Sequence, residues 1–500
     1  MMTRRGILKS IPAFALANTM GRSGAVGVPR ATDLPITDPL EDIKALLGVL
    51  LNEIPGVGSI CAALLELLWP WGHDDVWDQI RARVEAMINE KIEAAVFSLL
   101  KQKLDGIAAT LKLYVSATST GDTQTMMMQF IATNTAMIEA AEEFRNPDFQ
   151  WKVAPLFAIF SQIHMALLRD VILHGKNWGW SAETYANYVK LTDSTLRDYT
   201  QYLDKVVQAQ ADRLRPHAPT HPGIHRTAIY NYWQPFQEAR IRLIADFRVL
   251  IQAMDPIAHP GPVGNVVFDD VYSKAYGTAD DWDATCSAWA GEVTTPFSLP
   301  LANPDSIYIE YFNSTPRRVD VSYPAGKGPL LWSTETRMDT CRIIANAVPG
   351  KECATIHIPP PKAGTRFNIV GASINTGSIP LGLALKLADG TKLTLWNRAN
   401  SLGAWWEDVQ ISAHKLTTLA MWTRSRYYDD DLGCIVFGFS RDPDDVPSHL
   451  RELLYITAAG ESDGIRRLSD QRISSELRER RTAFWRDLTE SHSPETPFNR

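Results

Sequence analysis

Three histidines spaced four residues apart, His217, His221 and His225, are the first side chains in the sequence that could bind a metal ion. On a helix this spacing would place three imidazoles on one face, where they could coordinate zinc. Three prolines lie in the same segment, and proline interrupts a helix because it lacks the backbone N–H and clashes with the preceding turn. The segment is therefore predicted to be a loop without a metal site.

Other short motifs also fail to indicate catalysis. Gly56-Val57-Gly58 lacks the preceding strand and the third glycine of a dinucleotide-binding loop. The acidic run at 429–431 is more typical of a solvated loop than of a calcium site. The sequence contains no HExxH or Walker motif. We therefore expect neither an enzyme nor a bound cofactor.

The composition is that of a soluble chain with several domains. The 500 residues include 57 acidic and 50 basic side chains, with a formal net charge of −7, and 45% are hydrophobic. A charged fraction of 21% excludes both a polytopic membrane protein and a disordered chain. No basic segment stands out, so nucleic acid is not an expected partner.

Residues 1–30 resemble an export signal. Arg4-Arg5 and Lys9 precede a weakly apolar stretch that ends in small residues, a pattern typical of bacterial twin-arginine signals. A basic N-terminus without that role is the alternative. With the signal, the protein is expected to leave a bacterial cytoplasm folded and to be soluble outside.

Residues 38–258 have a helical pattern almost throughout. Apolar residues recur three and four positions apart, the period of one helix face, as at Ile80, Val84 and Met87. Several helices reach about 35–50 Å at 1.5 Å per residue, and long helices with short connections form antiparallel bundles. The pattern predicts an all-α bundle of about seven helices.

One helix of this bundle, at 153–174, is apolar on nearly every face and is expected at the centre. Its length of about 30 Å also matches the hydrocarbon core of a bilayer. Arg169 and Asp170 make it a poor autonomous transmembrane segment, because a charge at mid-bilayer costs at least about 2.5–3.5 kcal/mol. We interpret it as a core helix that enters a membrane after a rearrangement. The residues expected to insert are Leu156, Phe157, Ile159, Phe160, Ile163, Leu167, Leu168, Val171 and Ile172.

Beyond the bundle the period changes to that of strands. Short segments alternate apolar and polar side chains, as at 306–311, and Asp389-Gly390 is a two-residue hairpin turn. Residues 262–442 are predicted to form a β-sandwich that binds a receptor or glycan. Residues 443–500, in which arginines alternate with acidic residues, are predicted to form a charged helical tail. The fold class is thus α+β and multidomain.

The helical half resembles the N-terminal domain of the insecticidal crystal (Cry) δ-endotoxins. Matching blocks occur in the same order: Leu-Leu-Gly-Val at 46–49 with Pro-Gly-Val-Gly at 55–58, then Val-Glu-Ala-Met-Ile at 84–88, then Leu-Leu-Arg-Asp at 167–170 with Trp-Gly-Trp at 178–180, and a last helix that ends in Asp-Pro at 255–256. The resemblance covers about residues 38–258. It implies a pore-forming domain whose fourth and fifth helices insert as a hairpin and which oligomerises on the membrane.

Carried over by position, the hairpin consists of residues 123–145 and 153–174. Glu139, Glu142 and Glu143 on its first helix are candidates to line a cation-selective pore. A solvated outer face is the alternative interpretation of these three glutamates.

Charged residues on apolar helix faces are expected to lock the soluble state. Arg169 and Arg240 lie on such faces, and a buried charge needs a partner. We expect the two arginines to pair with acidic groups of neighbouring helices and, with Asp170, to hold the bundle closed.

The sequence departs from the family after the bundle. A full toxin carries a β-prism and then a β-sandwich, whereas here one β-rich segment, 262–442, follows the bundle. We expect a pore-forming toxin-like protein that docks on a target-cell membrane through an unknown receptor or glycan and forms a homo-oligomer there. The alternative is a secreted carbohydrate- or surface-binding protein without pore activity. In it Trp396, Trp405 and Trp406 would bind glycans, although each tryptophan could equally be part of the core.

Overall fold

The computed structural model of the chain describes residues 38–52, 56–70, 75–219, 226–263, 266, 268–278, 302–312, 315–324, 352–363, 365–377, 379–398, 405–423, 432–442, 446–447 and 450. The export signal predicted at 1–30, the acidic run at 429–431 and residues 451–500 of the predicted tail lie outside the described residues.

The N-terminal half is a bundle of α-helices. They are α1 Pro39–Asn52, α2 Ser59–Leu68, α3 Val76–Ile88, α4 Ala94–Thr120, α5 Thr123–Glu143, α6 Gln150–His174, α7 Ala182–Leu214, α8 Arg226–Arg240 and α9 Asp246–Ala253. A π-helical segment, Ile241–Ala245, joins α8 to α9, so these two form one continuous helix. The prediction of a helical bundle followed by antiparallel β-structure is confirmed.

Local sequence signals set the ends of the long helices. Gly121 adopts the left-handed conformation, with φ 71°, and ends α4. The side chain of Asp122 then accepts the N–H of Gln124, which caps the start of α5. Ser181 caps α7 in the same way through the N–H of Thr184. The two-residue connection makes α4 and α5 antiparallel neighbours.

The C-terminal half contains antiparallel strands. They are β1 Val271–Tyr272, β2 Tyr276–Gly277, β3 Ser306–Phe312, β4 Thr315–Ser322, β5 Glu352–His357, β6 Ile369–Thr376, β7 Pro380–Leu387, β8 Lys392–Asn397, β9 Trp405–Val409, β10 His414–Thr423 and β11 Leu432–Arg441. Sheet A has the order β1-β11-β10, with β2 also on β11, sheet B the order β4-β3-β5, and sheet C the order β8-β7-β6-β9. Sheet C is a Greek key, since β9 returns to pair with β6.

All three sheets contribute to one hydrophobic core. Phe437 and Phe439 of sheet A, Ile309 of sheet B, and Ile374 and Leu383 of sheet C belong to the same buried cluster. The sequence predicted a sandwich, which has two packed sheets; the described strands form three sheets around a common centre instead. The alternating pattern of each strand identifies a buried face but does not specify how many sheets share it.

The last helix of the bundle packs against the β-structure. The Tyr230 hydroxyl donates to the carbonyl of Ser273 at 2.9 Å. Asn231 donates to the carbonyl of Ala275 at 3.1 Å and accepts the N–H of the same residue at 2.6 Å. Ile241, in the π segment, is buried in the core of the sheets. The two halves therefore share side chains across their interface.

Gly277 on β2 is crowded by its partner strand β11 and by Pro380 of sheet C. This residue has φ 90°, and a Cβ added there would lie 2.2 Å from the carbonyl oxygen of Gly433 and 3.0 Å from Pro380. Gly390 in the β7–β8 turn has a similar φ of 88° but nothing within 4 Å of an added Cβ.

We predict that Gly277→Ala lowers the free energy of unfolding by about 3 kcal/mol, because the left-handed conformation and the overpacking both oppose the methyl group. Gly390→Ala is the matched control and should lose only about 1–2 kcal/mol, from the conformation alone. Urea unfolding of the two variants measures the difference. Equal losses would contradict the crowding around Gly277.

Candidate functional site: the central helix and its buried charges

The central helix α6 is buried along almost its whole length. Among the residues that the structure describes, one helical stretch, Pro147–Trp178, is long and apolar enough to cross a bilayer, with a mean hydropathy of 1.6 over a window that is wholly buried. The core helix of a soluble protein has the same properties. Eight of the nine residues expected to insert are 0% exposed, and the ninth is 7% exposed; they are Leu156, Phe157, Ile159, Phe160, Ile163, Leu167, Leu168 and Val171, followed by Ile172.

Polar side chains on α6 are bonded to the surrounding helices. Nε2 of Gln162 donates to the carbonyl of Phe247 in α9 at 2.9 Å. The imidazole of His164 lies 2.6 Å from the hydroxyl of Tyr199 in α7 and 3.0 Å from Oδ1 of Asn134 in α5. A neutral ring that accepts from the tyrosine and donates to the amide satisfies both contacts. These bonds place α6 in a fixed rotation among its neighbours.

Asp170 joins α6 to two other helices. Its carboxylate accepts the N–H of Gly58 at 2.9 Å and the hydroxyl of Tyr114, in α4, at 3.1 Å. Gly58 caps the N-terminus of α2, where the helix dipole favours a negative charge. A Cβ at Gly58 would lie 2.7 Å from Oγ1 of Thr118 in α4. Glycine at position 58 therefore allows the start of α2 to lie this close to α4.

Arg169 differs from the sequence prediction. We expected a carboxylate of a neighbouring helix as its partner, but the guanidinium donates to the carbonyls of Met254 at 3.3 Å and Gly261 at 3.4 Å. Met254 is the C-cap of α9, where the free carbonyls and the helix dipole favour a cation. The terminus of a helix thus takes the place of an acidic side chain.

Arg240 also differs from the prediction that it pairs with a neighbouring helix. Its Nε donates to Oε1 of Gln237, one turn earlier in its own helix, at 3.1 Å. Burial lowers the pKa of Arg240, and the nearby carboxylates of Asp269 and Asp246 oppose this shift. The hydrogen bond therefore does not connect Arg240 to another helix of the bundle.

The main ionic connection, which we name the Glu41 cluster, was not predicted from the sequence. It comprises Glu41 and Lys44 of α1, Arg242 of the π segment, Asp246 of α9 and Arg441 at the end of β11. Lys44 and Arg242 approach Oε1 of Glu41 at 3.1 and 3.2 Å, and Lys44 also lies 2.8 Å from Asp246. Arg441 donates to Oε2 of Glu41 and, at 2.8 Å, to its main-chain carbonyl.

The Glu41 cluster is buried and holds its central carboxylate ionised. Every side chain in it is at most 6% exposed. Burial raises the pKa of Glu41, but the four nearby groups Lys44, Arg441, His414 and Arg242 lower it more, so it lies well below the ordinary value. A signal was present in the sequence, since Glu41, Asp42 and Lys44 are charges at the start of a helix that is apolar from Ala45 to Leu51.

The glutamates predicted to line a pore lie on the outside of the bundle. Glu139 and Glu142 on α5 are exposed. Glu143 pairs with Lys103 of α4 at 2.6 Å. In this folded state the three glutamates therefore lie on the outer face of the bundle, which is the alternative interpretation of their pattern in the sequence.

The three candidate tryptophans have different surroundings. Trp396 is 3% exposed and belongs to the core of the sheets, so it is unavailable to a glycan and that prediction is wrong for this residue. Trp406 is 43% exposed. The side chain of Trp405 lies outside what the structure describes. Within the described chain, no group of three or more His, Cys, Asp or Glu side chains is arranged to hold a metal.

We predict that Glu41→Gln lowers the free energy of unfolding at pH 7 by about 3–5 kcal/mol, because it removes the carboxylate that three buried cations share. The folded-state pKa of Glu41 lies below its ordinary value of 4.5, so its contribution is present above pH 4.5 and is lost as the pH falls through the folded pKa. The difference in the free energy of unfolding between the variant and the parent should therefore become smaller below pH 4.5.

Urea unfolding at pH 7 and pH 3 measures this dependence. Glu66→Gln, which changes an exposed carboxylate on α2, is the control and should leave the unfolding midpoint unchanged. A Glu41→Gln chain as stable as the parent at pH 7 would show that the cluster does not support the fold.

The helical half also matches a known family. Residues 47–255, from α1 to just beyond α9, match the family model described as delta endotoxin, N-terminal domain. The chain is 29% identical over 159 residues to pesticidal crystal protein Cry1Da of Bacillus thuringiensis subsp. aizawai, which covers 30% of this chain and 14% of that protein. It is 25% identical over 266 residues to Cry7Aa of Bacillus thuringiensis, with 50% and 20% covered. The chain thus spans at most about a fifth of these two relatives.

Solved structures show the same fold over most of the chain. PirB superposes on this chain with a TM-score of 0.60 at 14% sequence identity. The superposition covers 80% of this chain and 94% of the PirB chain. At this identity the likeness concerns the fold alone. The family model and the relatives agree on the bundle: the helical half of this chain matches the N-terminal domain of the Cry delta endotoxins.

Proposed function

We propose that this protein is a pore-forming toxin that docks on a target-cell surface and inserts the α5–α6 hairpin into the membrane. The observation that carries the proposal is α6, an apolar helix of bilayer length enclosed within a delta endotoxin N-terminal domain. Transfer of its apolar surface from the bundle core to lipid would replace one apolar environment by another, so little hydrophobic free energy is lost on insertion. In this proposal the protein is not an enzyme and oligomerises on the membrane.

The hydrogen bonds of α6 support a hairpin as the moving unit. The bond between Asn134 and His164 joins α5 to α6 and can stay intact when the two helices leave together. The bonds to Tyr199, Phe247 and Gly58 connect α6 to other helices and must break. The connection between α5 and α6 is short, which favours their movement as a pair.

The charged end of α6 is compatible with a membrane-spanning helix. Arg169 and Asp170 lie within the last two turns before His174. At 1.5 Å per residue they are about 6–8 Å from that end, so the long arginine side chain can extend towards the interface. Mid-bilayer positions of α6 carry no Asp, Glu, Lys or Arg between Lys152 and Arg169.

The Glu41 cluster supplies a connection between docking and release. Arg441 is the last residue of β11, and its bonds to Glu41 tie α1 to sheet A. A receptor that shifts the end of β11, or a protease that removes α1, would break this tie. The helices around α6 would then lose one of their fixed contacts with the β-structure.

A pore built in this way would favour cations. Glu139 and Glu142 are exposed on the face of α5 that does not pack in the bundle. In an oligomer of inserted hairpins this face can line the lumen, where rings of carboxylates select cations. Export by the twin-arginine route remains a separate prediction about residues 1–30.

We predict that the purified chain releases dye from liposomes and that Leu167→Arg reduces the release, since it adds a second cation about 10 Å inside the end of α6, deeper in the bilayer than Arg169. Leu167 is buried, so circular dichroism must show that the variant folds. Absence of release at every pH, and also after protease trimming, would sink the pore proposal.

Exposed glutamates provide a test that does not disturb the core. Glu142→Gln, alone and with Glu139→Gln, should reduce the cation preference of channels in a planar bilayer by at least about twofold. Glu183→Gln on α7 lies outside the hairpin and should leave the reversal potential unchanged. Unaltered selectivity in the double variant would exclude these glutamates from the lumen but not the pore itself.

We also predict that Arg441→Gln accelerates dye release about threefold or more, because it weakens the tie between α1 and β11 and lowers the barrier to opening. The matched control is Lys274→Gln, which removes a half-exposed ion pair with Glu407. Equal release rates for Arg441→Gln and the parent would show that this tie does not restrain insertion.

A further inference from the structure

An arginine at the turn of the α5–α6 hairpin is enclosed by aromatic rings. Arg145 lies two residues after the end of α5, and Cζ of its guanidinium is 5.1 Å from the ring centre of Phe157 in α6. The ring centres of Tyr199 and Tyr202, both in α7, are 5.1 and 5.4 Å away. A cation within about 6 Å of an aromatic ring centre is attracted by the negative face of the ring. The three rings therefore attract the same cation.

The rings hold one another in place, and we name Phe157, Tyr199 and Tyr202 the Arg145 cage. The ring of Phe157 lies 5.0 Å from that of Tyr199 and 4.8 Å from that of Tyr202, with interplanar angles of 73° and 76°. Such edge-to-face contacts are favourable for aromatic pairs. Phe157 is fully buried, and the hydroxyl of Tyr199 contacts His164. The cage is thus a preformed site for the guanidinium.

Carboxylates lie at the open side of the cage. Nη2 of Arg145 is 2.6 Å from the carboxylate of Asp198 in α7, and Nη1 is 3.6 Å from that of Glu142 in α5. The side chain of Arg145 is 15% exposed, whereas those of Asp198 and Glu142 are 58% and 76% exposed. Exposed ion pairs contribute little to stability, while a cation over desolvated rings contributes more. The rings are therefore the main partner of Arg145.

The partners of Arg145 divide between the hairpin and the helix that it packs on. The ring in α6 and the carboxylate in α5 belong to the hairpin and can move with the arginine. Tyr199, Tyr202 and Asp198 belong to α7 and stay behind. Separation of the hairpin from α7 therefore removes two ring faces and one carboxylate from the guanidinium in a single step.

We propose that Arg145 is a latch that holds the turn of the α5–α6 hairpin on α7 and that opens before the hairpin enters a membrane. It is a positioning residue, because it acts through the cage and not on the lipid. The proposal rests on the proposed function, for which it names the side chain that controls the rate of hairpin release.

The first test removes the cation. Arg145→Gln keeps a polar side chain but loses the attraction of the cage, so dye release from phosphatidylcholine liposomes should be about fivefold faster or more. Arg248→Gln is the matched control. Arg248 of α9 also pairs with α7, through Asp204 at 2.7 Å, and is 31% exposed, but it does not contact the hairpin. This variant should release dye at the parent rate.

Two further variants separate the latch from a general loss of stability. Arg145→Lys restores a cation at the cage and should bring the release rate back to within about twofold of the parent. Tyr202→Leu should accelerate release in the parent, but should have little further effect in the Arg145→Gln chain, because the two side chains act as one unit. A role in packing alone predicts no rescue by lysine and additive effects of the two substitutions.

Hydrogen exchange in the lipid-free protein measures latch opening without a membrane. Amides at 144–152 should exchange about fivefold faster or more in Arg145→Gln than in the parent, and at the parent rate in Arg248→Gln. Parent rates of exchange and release in Arg145→Gln would overturn the latch and leave the pore standing. Faster exchange in Arg145→Gln, without dye release from any chain, would keep the latch and remove the pore.

Discussion

The burial of α6 is the constraint on which the rest of the structure depends. A helix of 25 residues with apolar side chains on almost every face is stable in water only when other helices surround it. Each of the surrounding helices must extend along much of the length of α6, which explains why α4, α5 and α7 have 27, 21 and 33 residues. These long helices are amphipathic, because one face of each contacts the core and the other contacts water.

Enclosure also determines how the polar groups of α6 are arranged. A buried polar atom that loses water without gaining a partner destabilises the fold by about 1–3 kcal/mol. Gln162, His164 and Asp170 therefore each bond to a different neighbouring helix. Apolar packing alone would allow α6 to rotate or slide, whereas these bonds specify one arrangement. The interactions that make the bundle unique are also those that the proposed insertion must break.

The sequence predicted the helices well because their signals are local. Residues 123–145 and 153–174 were expected to be helical, and the structure has Thr123–Glu143 and Gln150–His174. The partner of Arg169 was not predictable in the same way, since burial indicates that a cation needs acceptors but not which ones. The Glu41 cluster depends on positions 41, 242 and 441, which only the folded chain brings together. The number of sheets likewise depends on how strands meet, and Trp396 and Trp406 differ because they lie on opposite faces of sheet C.

The contact between Glu41 and Arg441 has a consequence for biosynthesis. The two residues are 400 positions apart. At about 5–20 residues per second, a ribosome takes roughly 20–80 s to reach Arg441 after Glu41 has been made. During that time the nascent bundle can collapse around α6, but its first helix has only Lys44 and Arg242 to neutralise a buried carboxylate and an aspartate. The tie between α1 and β11 can therefore form only after the whole bundle has been synthesised, and a chain truncated before β11 lacks this tie.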